Sequence, residues 1–288
     1  MRPKIALVLG GGGNRGLAHV GALEVLLREK IPVDLLVGTS MGGIVAALFA
    51  AGHTPDAITD YLMKFQGASV FSNLFSSRGR QQRLIDVLRT GLGGIRFDQL
   101  KIPLVVTAVD MITGKEIELD SGEVVPSVVA SAAVPAAFPP VEMDGMILAD
   151  GGVIDSVATP SAYARGFGAK DGGRIIVVDV YPKLEIEHWG DPLSSTLGIG
   201  LPFDVPFMRS AQTGKAPGSV AALWRAYRVA MWYVHDLRLR DYPPDVYIQP
   251  ALGALASLDF GDMQKPIEAG RAATEAALPA IRACLGLS

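Results

Sequence analysis

Residues 33–48 read VDLLVGTSMGGIVAAL: an apolar run, a turn of small residues and a second apolar run. We expect a strand at 33–37 and an alanine-rich helix at 44–51, with the pattern G-x-S-x-G between them, from Gly38 to Gly42. A serine in that place lies on a sharp strand-to-helix turn with its hydroxyl projected outward, and the N–H groups of the helix that begins at Met41 point at it. Ser40 is therefore a candidate nucleophile; the alternative is a serine N-cap followed by a packing glycine.

The same alternation continues on both sides of this segment. Apolar runs predict strands at 5–9, 104–109 and 175–180 and a hairpin arm at 115–119, and helical patterns predict helices at 17–30 and 264–284. This strand–helix alternation favours an α/β fold of three layers, α/β/α, with a mostly parallel central sheet. We expect one domain over residues 1–288, with excursions at about 65–94 and 185–217 that cover the functional site.

The composition narrows the class of protein. The chain has 288 residues, with 26 Lys and Arg against 29 Asp and Glu, and the net charge of −3 offers no basic surface for nucleic acid. A hydrophobic fraction of 49% excludes disorder, and a single cysteine, Cys284, excludes a disulfide within the chain. Neither a signal peptide nor a membrane-spanning segment is visible, so we expect a cytoplasmic protein with at most peripheral membrane contact. The sequence does not indicate an oligomeric state.

Glycine is abundant, at 33 residues, and one cluster, GGGGNRG at 10–16, follows the first predicted strand. A Walker A loop is excluded because no Lys-Ser/Thr pair follows Gly16. A dinucleotide fingerprint, G-x-G-x-x-G, matches from Gly11, but Ser40 stands at the end of the next strand, where the ribose-binding acid is expected. We favour an oxyanion hole made by backbone N–H groups, because this loop would lie beside Ser40 at the carboxyl edge of the sheet. A nucleotide-binding module remains the competing class. Arg15 would hold the loop, bind an anionic head group or form a surface salt bridge.

A serine nucleophile needs a base. Asp150 follows the apolar run 146–149 and precedes Gly151 and Gly152, so its carboxylate is placed to approach Ser40 directly, provided that burial raises its pKa. The alternative is an Asx-turn that closes a hairpin. None of the four histidines follows a late strand, where a Ser-His-Asp hydrolase would carry its base, so we interpret them as structural: His19, His53, His188 and His235. We see no cluster of metal-ligand type and expect neither metal nor cofactor.

Three motifs in this order and spacing, at 11–16, 38–42 and 150–152, resemble the patatin-like phospholipase family. The small-residue segment ASAAVPAAFPP at 130–140 also resembles that family, and the likeness extends over about 4–180 and, more weakly, 245–283. The resemblance implies a patatin-like fold and a lipid acyl hydrolase, of phospholipase A or carboxylesterase type, which cleaves fatty acyl esters through an acyl-enzyme. An acyltransferase on the same scaffold is the alternative.

The resemblance also implies a role for individual residues. It assigns Ser40 as the nucleophile and Asp150 as the base of a catalytic dyad. It assigns the oxyanion hole to the backbone N–H groups of three residues: Gly11, Gly12 and Gly13. Supporting positions are Arg15, Gly38, Met41, Gly42, Gly151 and Gly152. The amphipathic stretch 220–240 mixes arginine with large apolar residues and is a candidate for contact with a membrane surface.

Overall fold

The computed structural model describes residues 2–67, 77–135, 137–181, 219–253, 255 and 262–286. Within these ranges eight strands form one sheet: β1 (Lys4–Leu9), β2 (Leu35–Thr39), β3 (Leu104–Asp110), β4 (Glu116–Leu119), β5 (Val141–Met143), β6 (Met146–Asp150), β7 (Gly173–Val178) and β8 (Val246–Ile248). The helices are α1 (Ala18–Arg28), α2 (Met41–Ala50), α3 (Pro55–Gly67), α4 (Ser77–Leu92), α5 (Val124–Ser131), α6 (Thr159–Ala164), α7 (Ser219–Asp241) and α8 (Gln264–Cys284).

The sheet has the strand order β5-β6-β3-β2-β1-β7-β8, with β4 beside β3. The strands from β3 to β8 along this order are parallel to one another, whereas β4, β5 and β6 join by antiparallel pairing. The predicted α/β class with a mostly parallel core is therefore confirmed. The carboxyl ends of β1, β2 and β7 meet at one edge, since Leu9 pairs with both Gly38 and Val178.

Helices cover both faces of the sheet, as the alternation of side chains in a strand requires. On β1, Ile5, Leu7 and Leu9 lie in a large buried cluster shared with α1, α2, α5 and α8. The intervening residues Ala6 and Val8 lie in a second cluster, on the opposite face, together with α6 and with Leu239 of α7. The sheet is thus the middle layer of three, and β1 is buried on both sides.

The strand boundaries differ from the sequence-based ones for local reasons. The strand predicted at 33–37 runs from Leu35 to Thr39. It starts late because the carboxylate of Asp34 accepts the N–H of Ile5 at 2.8 Å, and it continues because Thr39 still pairs with Thr107 of β3. The helix predicted at 17–30 is a 3-10 turn, Gly13–Leu17, followed by α1.

Part of the predicted excursion at 65–94 is regular structure. Residues 77–92 form α4, whose Leu84, Leu88 and Leu92 are buried against the main core. Residues 68–76 and 182–218, the latter with the whole excursion at 185–217, lie outside the described residues. That either segment covers the functional site stays a prediction.

The crossing of α1 and α8 depends on two glycines, and this gives a first testable prediction. A Cβ at Gly270 would lie 1.9 Å from the carbonyl oxygen of Ala18, and one at Gly21 would lie 1.9 Å from that of Ile267. We expect Gly270→Ala to lower the free energy of unfolding by about 1–3 kcal/mol, because backbone atoms on the facing helix cannot move aside as a side chain can. Urea denaturation of the two proteins measures the difference.

Gly94→Ala is the matched control, because a Cβ at Gly94 meets nothing within 4 Å. We expect its unfolding free energy to stay within about 0.5 kcal/mol of the unmodified protein. Equal stability of the Gly270 and Gly94 variants would contradict the close approach of the two helices.

Candidate active site

Ser40 occupies the turn between β2 and α2 in a backbone conformation that residues other than glycine rarely adopt, with φ 55° and ψ −121°. Strain of this kind costs of order ~1–3 kcal/mol and persists only where the surroundings impose it. Here the turn closes over glycines: a Cβ at Gly42 would lie 2.0 Å from the carbonyl oxygen of Leu9, and one at Gly38 would lie 2.6 Å from the Cα of Gly43. The structure thus has the sharp strand-to-helix turn that G-x-S-x-G predicts.

The surroundings of Ser40 are ordered and nearly closed. The residue is 8% exposed, and its N–H donates to the hydroxyl of Ser131 at 3.0 Å. Helix α2 begins at Met41, so the N–H groups of its first turn, which have no partner inside the helix, lie next to Ser40. Ser131 ends α5 within the small-residue segment at 130–140. Sequence reasoning gave it no role of its own, although a lone hydroxyl among alanines was a usable signal.

Asp150 reaches Ser40 through the register of three strands. It ends β6 and pairs with Ala108, next to Thr107 on β3. The hydroxyl of Thr107 lies 2.8 Å from that of Thr39, the residue before Ser40. Gly151 fits closely against β3, since a Cβ there would lie 2.6 Å from the carbonyl oxygen of Thr107. Because β6 runs antiparallel to β3, its last residue arrives at the level where β2 ends.

The carboxylate of Asp150 is buried and only partly bound. Its Oδ1 accepts the N–H of Gly152 at 2.7 Å, which is the Asx-type bond that the alternative interpretation expects. Burial raises the pKa of Asp150 to about 6, and the Ser40 hydroxyl and the Gly152 N–H act against this rise as hydrogen-bond donors. Ser40 is thus within reach of the carboxylate, although in the described part of the chain Oδ2 has no partner at full hydrogen-bonding geometry.

The glycine loop lies against the nucleophile turn, but its three predicted donors are not equivalent. The N–H of Gly11 donates to the carbonyl oxygen of Ser156 at 2.8 Å and is occupied. The N–H groups of Gly12 and Gly13 have no acceptor among the described residues. Gly13 has a φ of 57°, which favours glycine, and a Cβ at Gly11 would lie 3.4 Å from the Cβ of Ser40. The loop therefore passes directly beside Ser40.

Arg15 and His19 hold this loop in place. Arg15 is buried, and its guanidinium donates to the carbonyl oxygens of Val180, Gly253 and Leu255 at 2.8, 3.1 and 3.0 Å. These three bonds tie the loop to residues 180, 253 and 255. Burial lowers the pKa of His19 to about 4, against the hydrogen bond at Gly10, so the ring is neutral and its Nε2 donates to the Gly10 carbonyl at 2.7 Å.

The other two histidines that the structure describes bind groups other than Ser40. His53 bonds to the carbonyl oxygen of Gly91 at 2.8 Å, beyond the far end of α2. His235 lies between Ser156, at 2.8 Å, and Asp179, at 3.0 Å. His188 lies outside the described residues. Asp150, rather than any histidine that the structure describes, is the titratable group beside the candidate nucleophile.

Helix α7 also contributes to the site, which the sequence did not indicate. Burial raises the pKa of Tyr227 to about 12, and the charge of Asp150 adds to the rise, which places this phenol in the neighbourhood of the carboxylate. The guanidinium of Arg228, one residue on, lies 4.9 Å from the ring centre of Tyr181. The amphipathic stretch predicted at 220–240 is thus a helix, and its Tyr227 is near enough to Asp150 for the carboxylate charge to act on the phenol.

The described ranges contain no group of three or more His, Cys, Asp or Glu side chains arranged to hold a metal ion. None of the helices in the same ranges combines the length and apolar composition that crossing a membrane requires.

Comparison with known proteins places this geometry in a family. The model of patatin-like phospholipases matches residues 7–163, which include all three motifs. An NTE family protein of Mycobacterium bovis is 33% identical over 172 residues, which cover 58% of this chain and 47% of the relative. A Candida glabrata protein named lysophospholipase is 28% identical over 283 residues, which cover 92% of this chain and 15% of that protein. The chain therefore spans about half of the bacterial relative and a smaller part of the yeast one.

A solved structure shows the same fold. VipD from Legionella pneumophila aligns with 98% of this chain and 67% of its own, with a TM-score of 0.53 and 12% sequence identity. Fold likeness and family match agree with the motifs seen in the sequence. Since the family model covers more than half of its length, the chain belongs to the patatin-like phospholipase family.

Proposed function

We propose that the chain is a lipid acyl hydrolase that cleaves fatty acyl esters with Ser40 as nucleophile and Asp150 as general base. The observation that carries the proposal is a strained serine beside a buried carboxylate whose pKa is about 6. Such a carboxylate is ionised at neutral pH and is still basic enough to accept a proton from a hydroxyl during attack. Membership of the patatin-like phospholipase family supports hydrolysis over the nucleotide-binding alternative.

The first half of the reaction forms an acyl-enzyme. Asp150 takes the proton of the Ser40 hydroxyl through Oδ2 while Oγ bonds to the ester carbonyl carbon. Oδ1 stays on the Gly152 N–H at 2.7 Å, which fixes the carboxylate during the transfer. When the tetrahedral intermediate collapses, the bond to the alcohol oxygen breaks and Asp150 returns the proton to that alcohol. The fatty acyl group is then an ester of Ser40.

The oxyanion would be bound by the N–H groups of Gly12 and Gly13, which have no acceptor within the described residues. Gly11 serves as spacer, because its own N–H is taken by Ser156 and its missing side chain lets the loop approach Ser40. In the second half, Asp150 takes a proton from water as the water attacks the acyl carbon. That proton returns to Oγ of Ser40, and the fatty acid leaves.

The substrate class follows from the relatives and from the surface. One relative is named a lysophospholipase, and we extend that substrate class, single-chain phospholipids, to this chain as part of the proposal. Leu223, Val229 and Tyr233 on α7 are 71%, 43% and 60% exposed, and they support peripheral contact with a lipid surface.

Product analysis tests the proposal. The purified chain is incubated separately with a lysophospholipid, a diacylphospholipid and a triacylglycerol, and released fatty acid is measured by mass spectrometry. We expect release from the lysophospholipid, and we expect a fluorophosphonate probe to add to Ser40. A second set of reactions contains an added alcohol acceptor: an acyl ester of the acceptor in place of free fatty acid would identify a transferase. No release from any ester, together with no labelling, would refute the proposed activity.

A further inference from the structure

A serine–histidine–aspartate cluster lies beneath the glycine loop, separate from Ser40 and Asp150. The hydroxyl of Ser156 lies 2.8 Å from Nδ1 of His235, and Nε2 of His235 lies 3.0 Å from Oδ2 of Asp179. Tyr247 donates its hydroxyl to the same carboxylate oxygen. Ser156, His235 and Asp179 are 4%, 7% and 0% exposed. The cluster is therefore a buried hydrogen-bonded chain without room for a substrate at Ser156.

Asp179 is the fixed end of this chain. Its N–H donates to the carbonyl oxygen of Ile248 on β8 at 2.9 Å, and its Oδ1 accepts the N–H of Tyr181 at 2.8 Å. Burial raises the pKa of Asp179, but the hydrogen bond and charge of His235, together with the hydrogen bonds from Tyr247 and Tyr181, hold the pKa below its ordinary value. Burial lowers the pKa of His235, but the hydrogen bond and charge of Asp179, with the charges of Asp155 and Asp236, make the net shift upward. With the ring protonated, both nitrogens donate, one to Asp179 and one to Ser156.

Ser156 is the other end of this chain, and it touches the loop beside the nucleophile. Its carbonyl oxygen accepts the N–H of Gly11 at 2.8 Å. It also ends the segment that starts at Asp150, in which the N–H of Asp155 donates to the carbonyl oxygen of Gly151 at 2.9 Å. One short stretch, 150–156, thus runs from the candidate base to the glycine loop. A contact that holds Ser156 in place therefore also holds the glycine loop in place relative to Asp150.

A buried ion pair of this kind adds little net stability, because the desolvation of two charges offsets their attraction. Its effect is to hold one geometry, since each hydrogen bond in the chain has a defined direction. Displacing a catalytic group by about 1 Å costs on the order of 100-fold in rate. A residue that holds the glycine loop in register with Ser40 would therefore raise the rate of the reaction even though it adds little to the stability of the fold.

We propose that His235 is a positioning residue for ester hydrolysis: by binding Ser156 from the fixed carboxylate of Asp179, it sets the place of the glycine loop beside Ser40. This inference rests on the proposed function. It differs from a triad, because His235 acts on the loop and takes no proton from the nucleophile.

The test distinguishes the hydrogen bonds that the two ring nitrogens of His235 make, Nδ1 to Ser156 and Nε2 to Asp179. Asn at 235 places an amide where Nδ1 lies and can keep the bond to Ser156, whereas Gln reaches the place of Nε2 and can keep the bond to Asp179. Ser156→Ala removes the hydroxyl and leaves the backbone carbonyl. We expect kcat of lysophospholipid hydrolysis to fall about 10- to 100-fold in Ser156→Ala and His235→Gln, with a smaller loss in His235→Asn and with KM unchanged.

Activity is normalised to the fraction of chain that a fluorophosphonate labels, so that a folding defect does not count as lost turnover. His53→Gln is the matched control, because the His53 ring also makes a hydrogen bond, in this case to the carbonyl oxygen of Gly91, and lies beyond the far end of α2. We expect its kcat to equal that of the unmodified chain. The label is mapped by peptide mass spectrometry.

Unchanged kcat in Ser156→Ala, or a greater loss in His235→Asn than in His235→Gln, would overturn the positioning role. If either of these results is obtained while Ser40→Ala is inactive in the same assay, this inference alone is refuted and the proposed function stands. Activity that survives in Ser40→Ala, or label found on Ser156, would instead refute the proposed function and this inference with it.

Discussion

Ser40→Ala is expected to reduce ester hydrolysis at least about 1000-fold while the protein remains folded. The loss follows because the acyl-enzyme cannot form at this turn without Oγ of Ser40. The fold survives because the strained backbone is imposed by the close approach of Gly38 and Gly42 to neighbouring backbone, which the substitution leaves in place. The measurements are fatty acid release and fluorophosphonate labelling, with circular dichroism to show that the variant is folded.

Ser127→Ala is the matched control for that experiment. Ser127 is also buried, and its hydroxyl donates to the carbonyl oxygen of Glu123 at 3.2 Å, one turn earlier on α5. Its loss removes a serine hydroxyl from the interior without touching the turn at 38–42. We expect full labelling and full turnover in this variant. Turnover in Ser40→Ala within about tenfold of the unmodified chain would show that another group is the nucleophile.

The layer order of the fold can be predicted from the sequence because β1 and β2 are apolar at nearly every position. A run such as Ile5–Leu9, apolar at every position, fits a strand covered on both faces, and parallel strands with helical crossovers lead to three layers. The ends of the strands are harder to predict from the sequence. The late start of β2 depends on Asp34 binding the N–H of Ile5, 29 residues away, and no local pattern encodes that contact.

The part of the candidate site that could be predicted from the sequence is the turn around Ser40, because its glycines have a clear structural reason. Gly38 and Gly42 around Ser40 indicate a turn that excludes Cβ atoms, and in the structure a Cβ added at these positions would lie only 2.6 and 2.0 Å from neighbouring backbone atoms. The occupied N–H of Gly11 was not predictable, because Ser156 reaches it only after α6 and its preceding loop pack under the sheet. The Ser156–His235 contact likewise depends on tertiary packing, since it joins residues 79 positions apart.

Asp150→Asn is expected to lower the turnover rate by at least about 100-fold and at the same time to stabilise the fold. An amide cannot serve as base, and loss of a general base costs about 100- to 10,000-fold in rate. Asn keeps an oxygen for the Gly152 N–H and places a neutral amide where Oδ2 now lies buried without a full hydrogen bond among the described residues. Asp98→Asn is the control, because that carboxylate is 79% exposed, and we expect it to change neither property.

The pH dependence gives the sign of the stability change. The pKa of Asp150 rises from 3.8 to about 6 on folding, so the stabilisation from this group is complete below pH 4 and is lost as pH rises through about 6. A shift of this size corresponds to about 3 kcal/mol. Urea unfolding should therefore show Asp150→Asn equal to the unmodified chain at pH 4 and more stable by up to about 3 kcal/mol at pH 8. Over the same interval kcat/KM of the unmodified chain should rise through about pH 6, as the base ionises. A variant less stable at pH 8 than at pH 4, relative to the unmodified chain, would mean that the ionised carboxylate is well solvated or paired, and the raised pKa on which its role as base depends would be wrong.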